Sequence, residues 1–478
     1  MVAAIAEWMP RQRWFGGKGR TPRPRLIGAF ELPGPDPDST RAQGDAHAVR
    51  VRTLLVMDDA SDPPCLYQVP VVERREPADA LAASDRLIAR LPDGTHLYDG
   101  PHDPAYTDAL FAMIVGEGRA ISDGAEASGH FSGSRDALAS TPEAPAATGI
   151  PAAVLGGEQS NTSIIYRPEG SPPVICKVYR RLHHGDNPDV TLQTALAASG
   201  SPHVPASIGD VVGEWDDVGR SSGRARGHLA FAQEFLPDVE DAWRVALEAA
   251  ASGTPFVDEA RALGAAVAEV HLLLGELFAR ERPSAELIEA ITTAWSRRLG
   301  IAVAEVPELA PKRAAIEAFY ERAQAGAWPE LQRIHGDLHL GQVLLVPGRG
   351  WVLLDFEGEP LRPMHDRRRP DVPARDVAGM LRSFDYVAGA TALAQPERAV
   401  ATTEWADAAR RAFLDGYVAA SGLDLNAYRE LLAAFELDKA VYEAIYETRS
   451  RPSWAAIPLR AIRRQLTTFG TADERIDA

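Results

Sequence analysis

The stretch from Ile334 to Pro360, IHGDLHLGQVLLVPGRGWVLLDFEGEP, holds the side chains best suited to chemistry. His335 and Asp337 come first, Gln342 stands five residues after the aspartate, and Asp355 follows the apolar run WVLL. The order is that of H-x-D-x-x-x-x-N followed by D-F-G in protein kinases, with Gln in place of Asn and D-F-E in place of D-F-G. Phosphoryl transfer needs a carboxylate to position an acceptor hydroxyl and take its proton, and Asp337 is the candidate. It also needs hard oxygen ligands for Mg²⁺, which the Gln342 carbonyl and the Asp355 carboxylate offer. Glu357 would be a further ligand or would orient the others. A competing reading takes His335, Asp337 and His339 as an H-x-D-x-H metal cluster of a hydrolase. It leaves Gln342 and Asp355 without a role and needs further ligands. Each histidine also has a plain structural reading: His335 holding the loop through a backbone bond, His339 doing the same or lining the pocket.

A phosphate donor must be held as well. No G-x-x-x-x-G-K-[ST] is present, which excludes a Walker-type loop. Gly156 to Ser163, GGEQSNTS, runs into an apolar strand pattern. Backbone N–H groups around Gln159, Ser160, Asn161 and Thr162 would cradle phosphates, or the segment is an ordinary turn. Lys177 is central in the next apolar run, ICKVY. It either snorkels from an edge strand or reaches phosphate as a kinase strand lysine does. Glu234 to Leu236 ends the last strand before the helical region, and by order alone would face adenine through its backbone.

The elements that must position these residues are strands first and helices after. Strand patterns cover Ala48 to Met57, Leu66 to Val72, Ser163 to Arg167, Val174 to Tyr179 and Leu229 to Phe235, with two short ones at Val343 to Val346 and Trp351 to Asp355. Trp215 to His228 reads as a polar loop. Helical periodicity is strongest over Ala105 to Val115, Ala260 to Ala279, Trp405 to Ser421 and Tyr428 to Thr448. This is an α+β chain, a β-rich part followed by a helical part. Residues 119–149 are rich in Ser, Gly, Ala and Pro, so a flexible connection is expected over 121–150. It would separate a small α+β unit at 1–120 from a nucleotide-binding unit at 151–236, with a helical unit at 237–478 carrying the catalytic loop.

Composition narrows the field further. The chain has 478 residues, 50 Lys and Arg against 67 Asp and Glu, a net charge of −17, and 45% hydrophobic residues. The apolar fraction supports a packed core, and the acidity argues against nucleic acid as a partner. The basic N-terminal run RQRWFGGKGRTPRPR is better read as a solvated or contact face. Two cysteines cannot make a disulfide framework or an all-Cys zinc site, which fits a reducing compartment. No run approaches the roughly 18 apolar residues of a membrane span, and the N-terminus lacks a signal-peptide core. A cytoplasmic protein without membrane attachment is expected.

A sugar acceptor calls for hydrogen-bonding side chains and an aromatic surface. The C-terminal block offers Tyr442, Glu443, Tyr446, Glu447, Arg451 and Trp454, with each Tyr and Glu pair one helical turn apart. The plain alternative is a half-buried helix with surface ion pairs. Arg382 and Asp385, in RSFDY, either line the acceptor pocket or brace the loop.

These blocks together resemble the actinobacterial maltokinases, ATP:maltose 1-phosphotransferases related to the aminoglycoside phosphotransferases. The resemblance runs through PRQRWFGGKGR, GEQSNTSIIY, KVYRRLHHGDNPDV, SPHVPASIG, HGDLHLGQVLL, DFEGEP, RDVAGMLRSFDY and LDKAVYEAIYETRSRPSWAAIPL. It implies a bilobal, eukaryotic-kinase-like fold with an N-terminal cap subdomain. It implies ATP and Mg²⁺, maltose as acceptor, maltose 1-phosphate for α-glucan (glycogen) synthesis, and functional coupling to trehalose synthase. Asp337 would be the base, Gln342 and Asp355 the Mg²⁺ ligands, Lys177 the phosphate contact, and Glu447, Arg451 and Trp454 part of the sugar site. The family has an acidic residue two positions after NPD, where this chain has Thr191, so the partner of Lys177 is Asp189, Asp186 or none. A kinase for glucosamine or an aminoglycoside on the same fold, and a catalytically silent binding module, are the other readings.

Overall fold

The computed structural model describes residues 1–33, 49–78, 86–122, 124–133, 149–156, 160–360 and 362–473. They form two compact units: 1–198 with 205–237, and 199–204 with 238–478.

The first unit holds two antiparallel sheets among its described residues. One runs in the order Pro24–Glu31, Arg50–Asp58, Cys65–Arg74, His96–Asp99, Leu87–Arg90, with Arg181–Leu182 also paired to Cys65–Arg74. Strand alternation sends successive side chains to opposite faces. Leu54, Val56, Tyr67, Val69 and Val71 pack with Ile5, Trp8, Trp14 and Phe15 of the N-terminal segment. Leu55, Leu66 and Val72 face the other way, onto Tyr106, Leu110 and Ile114 of the helix Pro104–Val115. The second sheet runs Arg119–Ser122, Ala125–Phe131, Ser207–Asp216, Arg224–Glu234, Val174–Val178, Thr162–Tyr166, Ala152–Val154.

Three sequence expectations change here. The expected connection over 121–150 begins with two strands, because Ala125 and Ala127 are buried at alternating positions; small residues fill that face where large apolar ones were sought. Residues 134–148 lie outside the described residues. One core cluster runs continuously from Phe30 to Ala232, so packing draws no boundary at residue 120. The polar loop Trp215–His228 contracts to a turn between strands ending at Asp216 and resuming at Arg224. Trp215 and Ala225 are buried, while Arg224 pairs with Asp216 at 3.1 Å and with Glu126 at 2.7 Å on the outer side.

The second unit is helical, with a three-stranded sheet of Glu240–Asp241, Val343–Val346 and Gly350–Leu353. The helices Val257–Leu277 and Ala399–Ser421 pack backbone to backbone: Gly264 lies against the Phe413 carbonyl and Gly416 against that of Arg261, leaving no room for a Cβ. The buried helix Ala374–Ala394 runs through this unit beneath the loop that carries Asp337. Among the described residues no helix is long and apolar enough to cross a membrane.

Candidate active site

The loop that carries Asp337 is held from behind by one buried carboxylate. Asp376, on the helix Ala374–Ala394, accepts from the backbone N–H of His335 at 2.8 Å and of Gly336 at 2.9 Å. Its Oδ2 also lies 3.1 Å from His271 Nε2, and His271 Nδ1 lies 2.9 Å from the Tyr417 hydroxyl. Burial alone would push the Asp376 carboxyl up; the hydrogen bond and charge of His271 and the Gly336 N–H hold it below the ordinary carboxylate value. Gly336 turns the chain with φ +86°, a left-handed conformation that suits glycine. Gly379 lets the supporting helix reach the loop, since a Cβ there would collide with the Leu338 carbonyl oxygen.

His335 locks the loop to the strand that precedes Asp355. Its Nε2 donates to the Leu354 carbonyl at 2.7 Å and its Nδ1 accepts from the Asp337 N–H at 3.3 Å. Phe356 is fully buried and lies 4.7 Å, centroid to centroid, from that ring. Asp355 has φ +63°, uncommon for a residue with a Cβ, and Gln342 Nε2 lies 3.0 Å from its Oδ2. With the amide turned, the Gln342 carbonyl and the Asp355 carboxylate present two hard oxygen donors side by side, a set that fits Mg²⁺. The hydrolase reading fails on the same geometry, because His335 spends both nitrogens on backbone partners. His339 accepts the Gly341 N–H at 3.0 Å and also lines the pocket; burial holds its pKa below the ordinary histidine value, against the raising effect of Asp337.

Asp337 opens onto a cavity of about 450 Å³, within the range of small-molecule sites. Of the residues expected to bind an acceptor, Arg382, Tyr446, Glu447 and Arg451 line it. Arg451 meets Glu447 through two bonds, of 2.9 and 2.6 Å, and Tyr386 donates to Glu447 at 3.1 Å. Arg382 is buried and bonds Glu443 at 2.9 and 2.6 Å. Two expected acceptor residues fall elsewhere. Asp385 does not line the cavity; it is buried among Arg382, Arg410 and Arg464 at 2.5, 3.4 and 2.7 Å and braces the helices. Trp454 sits one layer back, with the Arg451 guanidinium 4.4 Å above its ring and Tyr386 stacked at 6.3 Å.

Lys177, expected from the sequence to contact phosphate, belongs to the first unit. Lys177 lies in the middle strand of three, opposite Ser163 on one neighbour and Phe231 on the other. Its ammonium bonds Asp189 Oδ2 at 2.8 Å. The open choice of acidic partner is therefore settled in favour of Asp189, the first-turn acid of the helix Pro188–Ala198. Asp189 Oδ1 accepts from Gln193 at 2.5 Å, and Thr191 instead bonds back to the Asn187 carbonyl at 3.2 Å. Gln159 lies outside the described residues. Ser160 is exposed and Asn161 half-buried, at the start of the strand Thr162–Tyr166. Thr162 is buried, and its hydroxyl accepts from Arg180 at 2.8 Å, so that side chain faces the interior and not a phosphate. Glu234 ends its strand and accepts the Ala206 N–H at 3.1 Å; Leu236 follows, half-buried.

Sequence reading missed Lys439, Asp376, Glu359 and Tyr386. Lys439 projects from the helix Arg429–Ser450 to within 3.5 Å of Asp337 Oδ1 and 3.9 Å of Glu359. Burial alone would lower its pKa, but the charges of Asp337, Glu359 and Glu443 outweigh that and raise it, so it stays an ammonium. Its place one turn before Tyr442 and Glu443 was the available signal.

Comparison with known proteins bears on the family and the fold. Residues 8–103 match the maltokinase N-terminal cap domain, and residues 153–432 match the phosphotransferase enzyme family. A glucosamine kinase of Streptacidiphilus jiangxiensis is 29% identical over 323 residues, 63% of this chain and 70% of that protein. A glucosamine kinase of Mycolicibacterium smegmatis (strain ATCC 700084 / mc(2)155) is 30% identical over 325 residues, 64% of this chain and 77% of that protein. Among solved structures, a glucosamine kinase in complex with glucosamine, ADP and inorganic phosphate aligns with a TM-score of 0.65 at 21% identity, over 98% of this chain and 100% of that one. Another crystal form of glucosamine kinase gives a TM-score of 0.69 at 22% identity, over 98% and 99% of the two chains. The shared fold is that of a capped kinase, mixed α and β, as expected.

Proposed function

The chain belongs to the phosphotransferase enzyme family, and from that premise we propose that it transfers the γ-phosphoryl group of ATP to the anomeric hydroxyl of maltose. The observation that carries the reading is Asp337: an aspartate on a rigidly anchored loop, at the edge of a cavity walled by hydrogen-bonding and aromatic side chains. The match of residues 8–103 to the maltokinase cap supports maltose within the sugars.

In this reading the acceptor hydroxyl hydrogen-bonds Asp337, and its oxygen attacks the γ-phosphorus in line. The proton passes to the Asp337 carboxylate, and the bond to the bridging oxygen breaks to release ADP. Lys177, oriented by Asp189 at 2.8 Å, holds phosphate oxygens. Gln342 and Asp355 would hold Mg²⁺, which when bound neutralises phosphate charge. Tyr446, Glu447, Arg451 and Arg382 hold the sugar.

The second reading, glucosamine as acceptor, is favoured by the names of the two relatives. An ATP-consumption screen over maltose, glucose, glucosamine and aminoglycosides, with the phosphorylated carbon identified by NMR, separates them. Maltose 1-phosphate is the expected product. ATP turnover confined to glucosamine would replace maltose, and no acceptor-dependent turnover would overturn the kinase reading.

A further inference from the structure

We propose that Lys439 makes the cavity selective for uncharged sugars, standing as a fixed ammonium at the reacting end where an amino-sugar acceptor would bring its own. The inference rests on the reading of the chain as a sugar kinase and deepens it to a class of acceptor.

Four carboxylates line the cavity, Asp337, Glu359, Glu443 and Glu447, and each already has a cation. Glu443 is held by Arg382 at 2.6 Å and Glu447 by Arg451 at 2.6 Å. Both are committed to hydrogen-bonded pairs, Glu443 one turn beyond Lys439 on the same helix and Glu447 two turns beyond. At the reacting end Asp337 and Glu359 share Lys439, at 3.5 and 3.9 Å. A site built for an ammonium would leave one of these carboxylates for the ligand. Here the lysine supplies the positive charge from within the chain, from the helix Arg429–Ser450.

The reacting hydroxyl must bond Asp337, so an amino group on the next carbon of the ring falls well inside the roughly 10 Å over which charges interact at ordinary salt. Two like charges about 6 Å apart, at an effective dielectric of about 20, discriminate by about 100-fold. The carboxylates beside Lys439 reduce that figure, so tenfold is the threshold used here. A neutral sugar loses nothing: its hydroxyls accept from the ammonium and donate to Asp337 and Glu359. Removing the lysine charge would leave Asp337 and Glu359 facing each other unpaired, a site that attracts an ammonium.

Glucose and glucosamine differ by one hydroxyl replaced by one ammonium, and make the test. With the full-length protein, glucosamine should inhibit maltose phosphorylation at least tenfold more weakly than glucose. Lys439→Met should narrow the glucose-to-glucosamine ratio of kcat/KM by at least tenfold, or reverse it, while Lys439→Arg keeps the wild-type ratio. Glucosamine that inhibits as strongly as glucose overturns the proposal with no variant needed. Lys439→Met lowering both sugars equally also overturns it, leaving the lysine only a brace for Asp337. A wild-type protein that phosphorylates no sugar defeats the kinase reading itself, and this proposal with it.

Discussion

Replacing Asp376 by alanine should unfold the catalytic loop from its support before it touches any reacting group. The carboxylate is 1% exposed and receives three hydrogen bonds: His335 N–H, Gly336 N–H and His271 Nε2, at 2.8, 2.9 and 3.1 Å. Bonds to a charged acceptor are each worth about 1.5–3 kcal/mol, and donors left buried without a partner add to the loss. Partial rehydration returns some of it, so the net cost is about 3–6 kcal/mol, against a typical total of about 5–15 kcal/mol. Urea titration should show a fall in the midpoint with little change in slope, and kcat measured in buffer well below the melting temperature should fall with it. The pH dependence gives a second signature. The folded carboxyl is held below its unfolded value, so the unfolded chain binds more protons in that window, and stability rises with pH through it. The contribution is fully present above about pH 4 and is lost as pH falls through the depressed folded value. The variant should lose less stability than wild type over that range. A midpoint shift worth less than about 1 kcal/mol, with kcat intact, would refute the anchoring argument.

Three other outcomes follow from the site. Asp337→Asn should lower kcat by about 10²–10⁴-fold while ATP binding, followed by calorimetry, stays close to wild type; a loss in affinity alone would contradict its role as base. Asp189→Asn removes the partner of Lys177, and the KM for ATP should rise about tenfold with the KM for sugar little changed. Gly379→Ala forces a methyl against the Leu338 carbonyl, and should cost about 1–3 kcal/mol by denaturant titration and reduce kcat through the displaced loop; a neutral result would show that the helix can draw back freely.

What the sequence made legible follows from how local each signal is. Asp337, Gln342 and Asp355 sit in one short motif, and their spacing is enough to bring the loop and the hairpin end together, as the contact at 3.0 Å between Gln342 and Asp355 shows. Lys177 stood out as a charge inside an apolar strand. Its partner did not, because Asp186 and Asp189 lie close together in sequence, and the choice depends on which side of a helix faces the strand. Asp376 was invisible: it precedes an ordinary apolar helix pattern and lies about 40 residues from the N–H groups it binds. Asp385 misled for a related reason. Its neighbour Arg382 does line the cavity, but Asp385 is three residues along a buried helix and turns to Arg410 and Arg464, both distant in sequence. The strands Arg119–Ser122 and Ala125–Phe131 were missed because alanine can fill a buried face when the opposing surface is close.

On the proposed reading, the helix Arg429–Ser450 joins catalysis and acceptor choice in one element. Lys439, Tyr442, Glu443, Tyr446 and Glu447 recur at intervals of three and four, so a single stripe of this helix faces the cavity. The first of these residues touches the proposed base, and the last two form the wall farthest along the stripe. The stripe is fixed from both sides, by Arg382 on Glu443 and by Tyr386 and Arg451 on Glu447. A rigid helix carries displacement along its length, so a change at Glu447 that tilts the stripe also moves Lys439 relative to Asp337. Acceptor-wall substitutions in this protein should therefore register in kcat and not in KM alone, since the ammonium that steadies the base is set by the same packing that shapes the sugar site.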